Sequence, residues 1–313
     1  MKDIIGHNKI LDFFKSSLNN GNLSHAYCLI GPKDVGRMGI IRQVSSQILG
    51  ISISELTSHP DFRLVRRQKN DKGNKKKNVT VDQIRESRKF VSKQPYKSDH
   101  KILVIQEGEK MNKSAANAFL KTLEEPAEYT TIFLSVLDEG LLPDTIASRS
   151  QNIYVRPVAI ENIKSYLVDN NYDQDFAEDV SLASMGLQEK AKKWIKDENE
   201  FEKIKQESER LNEMVDQPFF KKLNSIKNIH EKSGQTGRGQ SQQIFSQWQI
   251  VLQLLLMEKT GQIALNQINL SSLTEISYKQ IKELLEELKE AKKKLHQNIN
   301  LKLILEQVLL KIP

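Results

Sequence analysis

The sequence predicts an α/β domain built on a parallel sheet over roughly the first 155 residues, followed by helical domains. Three observations carry this prediction: short apolar runs recur in the first half, helical patterns separate them, and strand patterns fade after Pro157. Strands that are apolar throughout suit a parallel sheet covered on both faces, and strand–helix alternation is typical of α/β folds. A chain of 313 residues has room for two domains or three small ones.

The predicted strands are short and mostly free of charge. They cover residues 26–30, 61–65, 102–105, 131–136 and 152–155. Between them, apolar residues recur at helical spacing and predict helices over 38–49, 81–93 and 113–124. Thr80 and Asn112 stand where side-chain caps would begin the second and third of these helices.

The remaining chain is predicted to be helical. Short helices are expected over 160–168, 175–184 and 187–195, and longer amphipathic ones over 244–259, 278–296 and 301–312. Residues 233–243, rich in Gly, Ser and Gln, are expected to form a flexible polar break before the longer helices.

Composition excludes several classes of protein. Hydrophobic residues make up 38% of the chain, but no apolar stretch approaches the roughly 18 residues that a membrane span needs. Cys28 is the one cysteine, which excludes an internal disulfide framework and a multi-cysteine zinc site. No signal peptide is visible at the N-terminus. We therefore expect a cytoplasmic protein with no membrane partner.

Most of the excess positive charge lies in one segment. The net charge is +7, and residues 66–77 alone hold seven basic residues and one acid. This run could contact nucleic acid through phosphates, or it could be a solvated surface insertion. No aromatic residue interleaves with the charges to stack on bases, which favours the second interpretation.

A phosphate-binding loop is indicated where the first strand ends. Gly31 and Gly36 are spaced as in a P-loop, and Arg37 and Met38 follow them at the start of a helix. A working site needs Lys and Ser or Thr at those last two positions. Arginine keeps the charge with a different geometry, whereas the thioether of Met38 is a poor ligand for Mg²⁺.

The second half of such a site is also incomplete. The strand 102–105 is followed by Gln106 and Glu107, so the position of the base is filled but that of the metal-binding Asp is not. The missing hydroxyl and the missing carboxylate would both bind the same Mg²⁺ ion. The sequence therefore predicts a P-loop fold that does not catalyse metal-dependent hydrolysis. The alternative is that residues 31–38 are only a strand-to-helix turn.

Several motifs resemble those of bacterial clamp-loader subunits, which belong to the AAA+ ATPase-like family. They are SHAY at 24–27, HPD at 59–61, VTVDQIR at 79–85, EGEKMNKSAANAFLKTLEEP at 107–126 and LLP followed by IASRSQ at 141–151. All occur in the order that the family has and cover about residues 1–155. The resemblance implies an AAA+-like domain over 1–156, a small helical lid over 157–205 and a helical collar for oligomerisation over 206–313.

The resemblance also implies roles for particular residues. Arg149 matches the arginine that clamp-loader subunits insert into the neighbouring subunit's ATP site as a trans arginine finger. Glu107 would be a vestigial base, and Gly31, Gly36 and Arg37 a degenerate phosphate loop that leaves ATP binding doubtful. Family members often carry a four-cysteine zinc module, but residues 48–57 contain no cysteine, so no zinc is expected.

The function that the resemblance implies is that of a non-motor, stator subunit of the clamp loader of DNA polymerase III. Its partners would be the gamma or tau and delta subunits in a hetero-oligomeric ring, the sliding clamp, and primed DNA through the complex. Two alternatives stay open. The chain could be an ATP-hydrolysing motor subunit, or a stand-alone nucleic-acid-binding protein that acts through residues 66–77.

Overall fold

The computed structural model describes residues 4–68, 78–226, 235–261, 263, 265–295, 297 and 299–313. The chain divides into two compact units. One comprises Met1–Asn162 with Gly186–Lys190, and the other comprises Ile163–Met185 with Ala191–Pro313. The central part of the basic run, residues 69–77, lies outside the described residues, and so does the beginning of the predicted polar break.

The first unit is built on a five-stranded parallel sheet. Its strands, in chain order, are β1 (Ala26–Ile30), β2 (Phe62–Val65), β3 (Lys101–Gln106), β4 (Thr130–Val136) and β5 (Gln151–Tyr154). The spatial order is β2-β3-β4-β1-β5, and every neighbouring pair is parallel. The predicted α/β class and all five strands are therefore confirmed, with ends that differ by a residue or so. Lys101 extends β3 because its backbone N–H donates to the Tyr129 carbonyl at 2.7 Å.

The helices of this unit follow the predicted pattern. They are α1 (Asn8–Asn19), α2 (Arg37–Leu49), α3 (Val81–Val91), α4 (Lys113–Glu124) and the short α5 (Asp144–Ala147). Thr80 forms a capping box with Gln83, and Asn112 caps α4 through the backbone N–H of Ala115, as predicted. The predicted end of α3 at residue 93 is two residues too long, because Pro95 disfavours helical backbone just before it.

Two apolar layers cover the two faces of the sheet. Successive strand residues point to opposite faces, so Cys28 and Leu134 pack with α3 and α4, whereas Tyr27 and Phe133 pack with α1 and α2. The rings of Tyr27 and Phe133 stack with centroids 5.6 Å apart. Burial on both faces explains why these strands are apolar throughout and not alternating.

The rest of the chain is helical, as predicted. The elements are α6 (Ile160–Asp169), α7 (Gln174–Ser184), α8 (Gln188–Lys196), α9 (Glu198–Met214), α10 (Phe219–Ser225), α11 (Gln235–Lys259), α12 (Tyr278–Lys294) and α13 (Leu301–Leu309). The predicted boundary at residue 205 falls inside α9, which is continuous from Glu198 to Met214. The division into three domains stays a prediction, since the contacts group the chain into two units.

The flexible break predicted over residues 233–243 is wrong from residue 235 onward, because α11 already begins there. Tertiary contacts override the low helix propensity of its glycines. The guanidinium of Arg238 donates at 3.0 Å to the carbonyl of Leu295 and to that of Gln297.

None of the helices in the described residues combines the length and apolar character that crossing a membrane requires.

Candidate functional site

The predicted phosphate loop lies at the carboxyl end of β1. Gly31 follows the strand, and a Cβ at this position would lie 2.2 Å from the Val155 carbonyl oxygen, so the close approach of the backbone requires glycine. Asp34 and Gly36 both have positive φ, 64° and 111°, and Gly36 directly precedes α2. The loop therefore has the strand–turn–helix geometry that the sequence predicted.

The space beside Gly36 is occupied by a side chain from a distant part of the sequence. A Cβ at Gly36 would lie 2.1 Å from Nε2 of Gln188, and Gln188 is completely buried. The Gln188 amide donates to the Val35 carbonyl at 3.2 Å and accepts from the Ile5 N–H at 2.7 Å. Gln188 thus packs against the loop at the glycine that would approach a phosphate most closely.

Two further hydrogen bonds join the loop to the same two parts of the chain. Nε2 of His7 donates to the Val35 carbonyl at 3.0 Å, and the backbone N–H of Glu189 donates to the Asp34 carbonyl at 2.9 Å. Residues near the N-terminus and residues 188–189 therefore stabilise the conformation of the loop.

Arg37 and Met38 occupy the positions where a working site has Lys and Ser or Thr. Nη1 of Arg37 is buried without a hydrogen-bond partner among the described residues. Burial lowers the pKa of Arg37, although nearby Glu109 opposes this shift. Met38 is half-buried and packs against the apolar layer that contains Ile40 and Ile41, and its thioether offers no oxygen to a metal.

Glu107 lies at the carboxyl end of β3, as predicted, but it is paired. Arg67 donates from Nε to Oε2 at 2.9 Å and from Nη2 to Oε1 at 2.6 Å. Both side chains are largely buried, with 20% and 26% of their surface exposed. This hydrogen bonding raises the pKa of Arg67. A carboxylate held at both oxygens by a guanidinium is a poor base for a water molecule.

Arg149 lies far from this loop within the same unit. It precedes β5, at the amino edge of the sheet, whereas Gly31 follows β1 at the carboxyl edge; the two strands are parallel neighbours. The guanidinium is 3.1 Å from Oε1 of Glu124 and donates to the Thr145 carbonyl at 3.1 Å. Arg149 is therefore half-exposed at the other end of the sheet and does not join Gly31, Gly36, Arg37 and Glu107.

The residues at the loop do not fit a magnesium–nucleotide complex. Gln188 abuts Gly36, Met38 packs against the core, and Gln106 offers a neutral amide where a carboxylate would be needed. Among the described residues, no group of three His, Cys, Asp or Glu side chains lies together as a metal site would require. The arrangement preserves the shape of a phosphate loop and lacks the groups for metal-assisted hydrolysis.

Sequence reasoning missed two of the residues that shape this site. Arg67 was assigned to the basic run, although it follows β2 closely and β2 is the neighbour of β3 in a parallel sheet. Carboxyl ends of parallel strands meet at one edge, and that rule would have placed Arg67 near Glu107. Gln188 carries no such signal, since 152 residues separate it from Gly36 in the sequence.

The sheet and its loop define the class of the first unit as an AAA+-like P-loop domain with a degenerate site. Residues 6–159 match the model of the family described as "DNA polymerase III, delta subunit". This match covers about half of the chain and assigns the first unit to the clamp-loader subunits of DNA polymerase III.

Individual relatives agree with this assignment. The chain is 28% identical over 174 residues to DNA polymerase III subunit gamma of Buchnera aphidicola subsp. Acyrthosiphon pisum, covering 53% of this chain and 48% of the relative. It is 29% identical over 140 residues to subunit delta' of Pseudomonas aeruginosa, covering 40% and 41%. The chain thus spans about half the length of the curated relatives it matches.

A solved structure extends the likeness in fold to most of the chain. The gamma subunit-related protein of Thermotoga maritima has a TM-score of 0.54 at 21% identity and covers 95% of this chain and 97% of its own. At this identity the likeness concerns the fold alone.

Proposed function

We propose that this chain is a delta-prime-type subunit of the DNA polymerase III clamp loader, a stator that does not hydrolyse ATP itself. It would assist in loading the sliding clamp on primed DNA and lend Arg149 to the ATP site of the neighbouring subunit. Polymerisation would then belong to another subunit of the assembly.

One observation carries the proposal: the bidentate pair between Arg67 and Glu107. Hydrolysis needs a carboxylate free to polarise water beside a metal, and here that carboxylate is bound to a guanidinium. Met38 and Gln106 remove the metal's usual ligands at the same site. A subunit with this site would support the ring structurally and would not hydrolyse ATP.

The position of Arg149 supports a role in trans. At the amino edge of the sheet it cannot reach its own loop at the carboxyl edge, since the four residues of β5 alone span roughly 13 Å. Its ion pair with Glu124 is half-exposed, with 39% and 47% of the side-chain surfaces accessible. Such a pair contributes little stability, so Arg149 could release Glu124 and bind a γ-phosphate instead. There a guanidinium stabilises the negative charge that develops in phosphoryl transfer.

The proposed partners follow from the family. They are the gamma or tau and delta subunits in a ring, the sliding clamp, and primed DNA through the complex. The relatives named delta', from Pseudomonas aeruginosa and from Bacillus subtilis at 25% identity, support the choice of subunit. The lack of ATP and zinc in this subunit is part of the proposal, as is a cytoplasmic location.

The test is ATP turnover by the loader reconstituted with this chain, compared with turnover by the chain alone. The chain alone should show no turnover. In the assembled loader, Arg149→Ala should lower DNA-stimulated turnover at least about tenfold, since arginine fingers contribute more than that in related chemistry. Arg85→Ala removes another exposed arginine, paired with Asp82 at 3.5 Å, and serves as the matched control. Equal turnover in wild type and Arg149→Ala would refute the finger.

The motor alternative remains relevant because the relative from Buchnera is named gamma. A nucleotide titration with and without Mg²⁺ separates the two functions. Tight, Mg²⁺-dependent binding with turnover by the isolated chain would establish a motor and overturn the stator proposal. The third alternative, nucleic-acid binding through residues 66–77, concerns a segment that lies mostly outside the described residues and stays a prediction.

A further inference from the structure

Tyr96 projects from the turn between α3 and β3, at the amino edge of the sheet. Its side chain is 81% exposed, the largest exposed fraction among the large hydrophobic side chains of the described residues. A single exposed ring is common on protein surfaces, so exposure alone indicates nothing. A binding role for this ring is indicated by the rigid turn that carries it and by the basic residues of the same segment.

The turn is held by one buried carboxylate. Asp61 is completely buried and accepts from the backbone N–H groups of Tyr96 at 2.7 Å, Lys97 at 2.7 Å and Ser98 at 3.1 Å. The ring therefore stands on a backbone whose conformation is already fixed. A preorganised surface loses less conformational entropy when a ligand binds.

Three lysines lie in the same segment of the chain as the ring. Lys89, Lys93 and Lys97 are all exposed, and within the part of the chain that the structure describes none of them forms an ion pair. Between residues 89 and 99 the one carboxylate is Asp99. The segment thus has an excess of positive charge in its own sequence.

The charges beneath this surface, in contrast, are compensated. Lys101 is buried, and its ammonium donates to the Phe90 carbonyl at 2.8 Å and lies 4.4 Å from the centre of the Phe90 ring. Burial lowers the pKa of Lys101, and the nearby carboxylate of Asp61 opposes that shift. The buried cation and the buried anion carry opposite charges, so together they add no net charge to the three exposed lysines.

We infer that Tyr96 with Lys89, Lys93 and Lys97 forms a binding surface for single-stranded nucleic acid. A base stacks on the exposed ring, and the lysines contact phosphates on either side. An acidic peptide would pair with the lysines but would have no planar group to stack on the ring. In a duplex, neighbouring base pairs cover the faces of the bases, so none is free to stack. A sequence-tolerant combination of aromatic ring and positive groove is typical of single-strand binding. This inference concerns one chain and does not rest on the stator proposal.

The experiment is fluorescence anisotropy of a labelled oligothymidylate, about 16 nucleotides long, titrated with the full chain at low salt. Tyr96→Ala should weaken binding at least about fivefold, and Tyr96→Phe should retain it, because stacking needs the ring alone. Lys93→Ala combined with Lys97→Ala should reduce the slope of log K against log salt by about 1.4, or about 0.7 for each phosphate that no longer meets a lysine. All these side chains are exposed, and circular dichroism confirms that the variants fold.

Matched controls come from the second unit. Tyr278 is also an exposed tyrosine, 47% accessible, beside Lys259, so Tyr278→Ala should leave binding unchanged. Lys279→Ala with Lys282→Ala removes the same charge from an exposed helix face and should preserve the salt slope. The inference is overturned if wild type does not bind, if Tyr96→Ala binds as tightly, or if polyglutamate competes as well as the oligonucleotide. None of these outcomes changes the result expected for Arg149→Ala in the ATP turnover assay.

Discussion

Arg67 and Glu107 close the degenerate site from two neighbouring strands, with both guanidinium–carboxylate bonds at 2.9 Å or less. Arg67 follows β2 and Glu107 follows β3, so the parallel pairing of these strands brings the two side chains to the same edge of the sheet. The backbone of Glu107 has a φ of 58°, which is unusual for a residue with a side chain. The pair thus holds a residue with an unusual backbone conformation at the carboxyl edge of the sheet.

This pair should contribute measurably to stability. A double-mutant cycle with Arg67→Ala and Glu107→Ala, followed by urea unfolding, should give a coupling energy of about 1–2 kcal/mol, since both groups are largely shielded and the geometry is bidentate. The control is the exposed pair Arg85–Asp82, whose side chains are 69% and 80% accessible; its cycle should give at most about 0.5 kcal/mol. Equal coupling in both cycles would contradict the importance of the Arg67–Glu107 pair.

Gly36 should tolerate no side chain. Gly36→Ala places a Cβ 2.1 Å from Nε2 of Gln188 on a backbone with a φ of 111°, which should lower the free energy of unfolding by about 2–4 kcal/mol. Gly50 is the control for a Cβ in open space, because its φ of 67° lies in the left-handed helical region and no atom lies within 4 Å of the added Cβ. Gly50→Ala should therefore cost only about 1 kcal/mol.

The overlap with Gln188 can be tested directly at the same site. Gly36→Ala should cost less in a Gln188→Ala background than in wild type, because the amide that the Cβ meets is gone. If the cost is the same in both backgrounds, Gln188 does not fill the space beside the loop.

Asp61 should make stability depend on acid. Burial alone would raise the pKa of Asp61, but the backbone donors of Lys97, Tyr96 and Ser98 outweigh it, and the pKa is lowered from 3.8. A carboxyl whose pKa is lower in the folded chain stabilises the fold above its unfolded pKa, and that contribution is lost as pH falls through the folded pKa. Asp61→Asn should therefore cost about 3 kcal/mol at pH 7 and progressively less below about pH 4.

The control for Asp61 is Asp99→Asn, which changes an exposed carboxylate in the neighbouring segment and should alter stability by less than about 0.5 kcal/mol. Unfolding free energies measured between pH 7 and pH 3 provide the comparison. A pH-independent difference between wild type and Asp61→Asn would mean that the three backbone bonds do not depend on the charge.

The fold was predictable where burial alone determines it. The apolar runs at β1, β3 and β4 gave the sheet, and local capping chemistry at Thr80 and Asn112 located two helix starts. The beginning of α11 was not predictable, because the carbonyls that Arg238 binds come from residues about 60 positions away. Helix propensity depends on residues that are close in the sequence, so it does not report contacts between residues this far apart.

The same distinction applies to the site. The residues missing from it, a hydroxyl at Met38 and a carboxylate at Gln106, could be identified from sequence spacing. The groups that occupy it could not, since Gln188 and Arg67 reach Gly36 and Glu107 only through the tertiary fold. The missing hydroxyl and carboxylate were therefore visible in the sequence, whereas the interactions that stabilise the site required the structure.

In the second unit, Glu207 should have the opposite pH dependence to Asp61. Its carboxylate is buried, accepts from Nε1 of Trp248 at 2.7 Å and pairs with Arg210 at 2.6 Å. Burial raises the pKa of Glu207 above 4.5, although Arg210 and the Trp248 bond oppose the shift. A raised folded pKa means that stability is lost as pH rises from the unfolded pKa through the folded one. Glu207→Gln, which does not ionise, should thus become more stable relative to wild type between about pH 4 and pH 7.

A second substitution separates the charge of Glu207 from its hydrogen bond. Glutamine can still accept from the Trp248 indole, but Glu207→Ala leaves that buried N–H without its acceptor and should cost about 2 kcal/mol. Trp248 emission, measured in a Trp194→Phe background, should shift in Glu207→Ala and stay unchanged in Glu207→Gln. Glu209→Gln, on the exposed side of α9, is the control and should follow wild type at every pH. If Glu207→Gln also follows wild type at every pH, burial does not raise the pKa of this carboxyl.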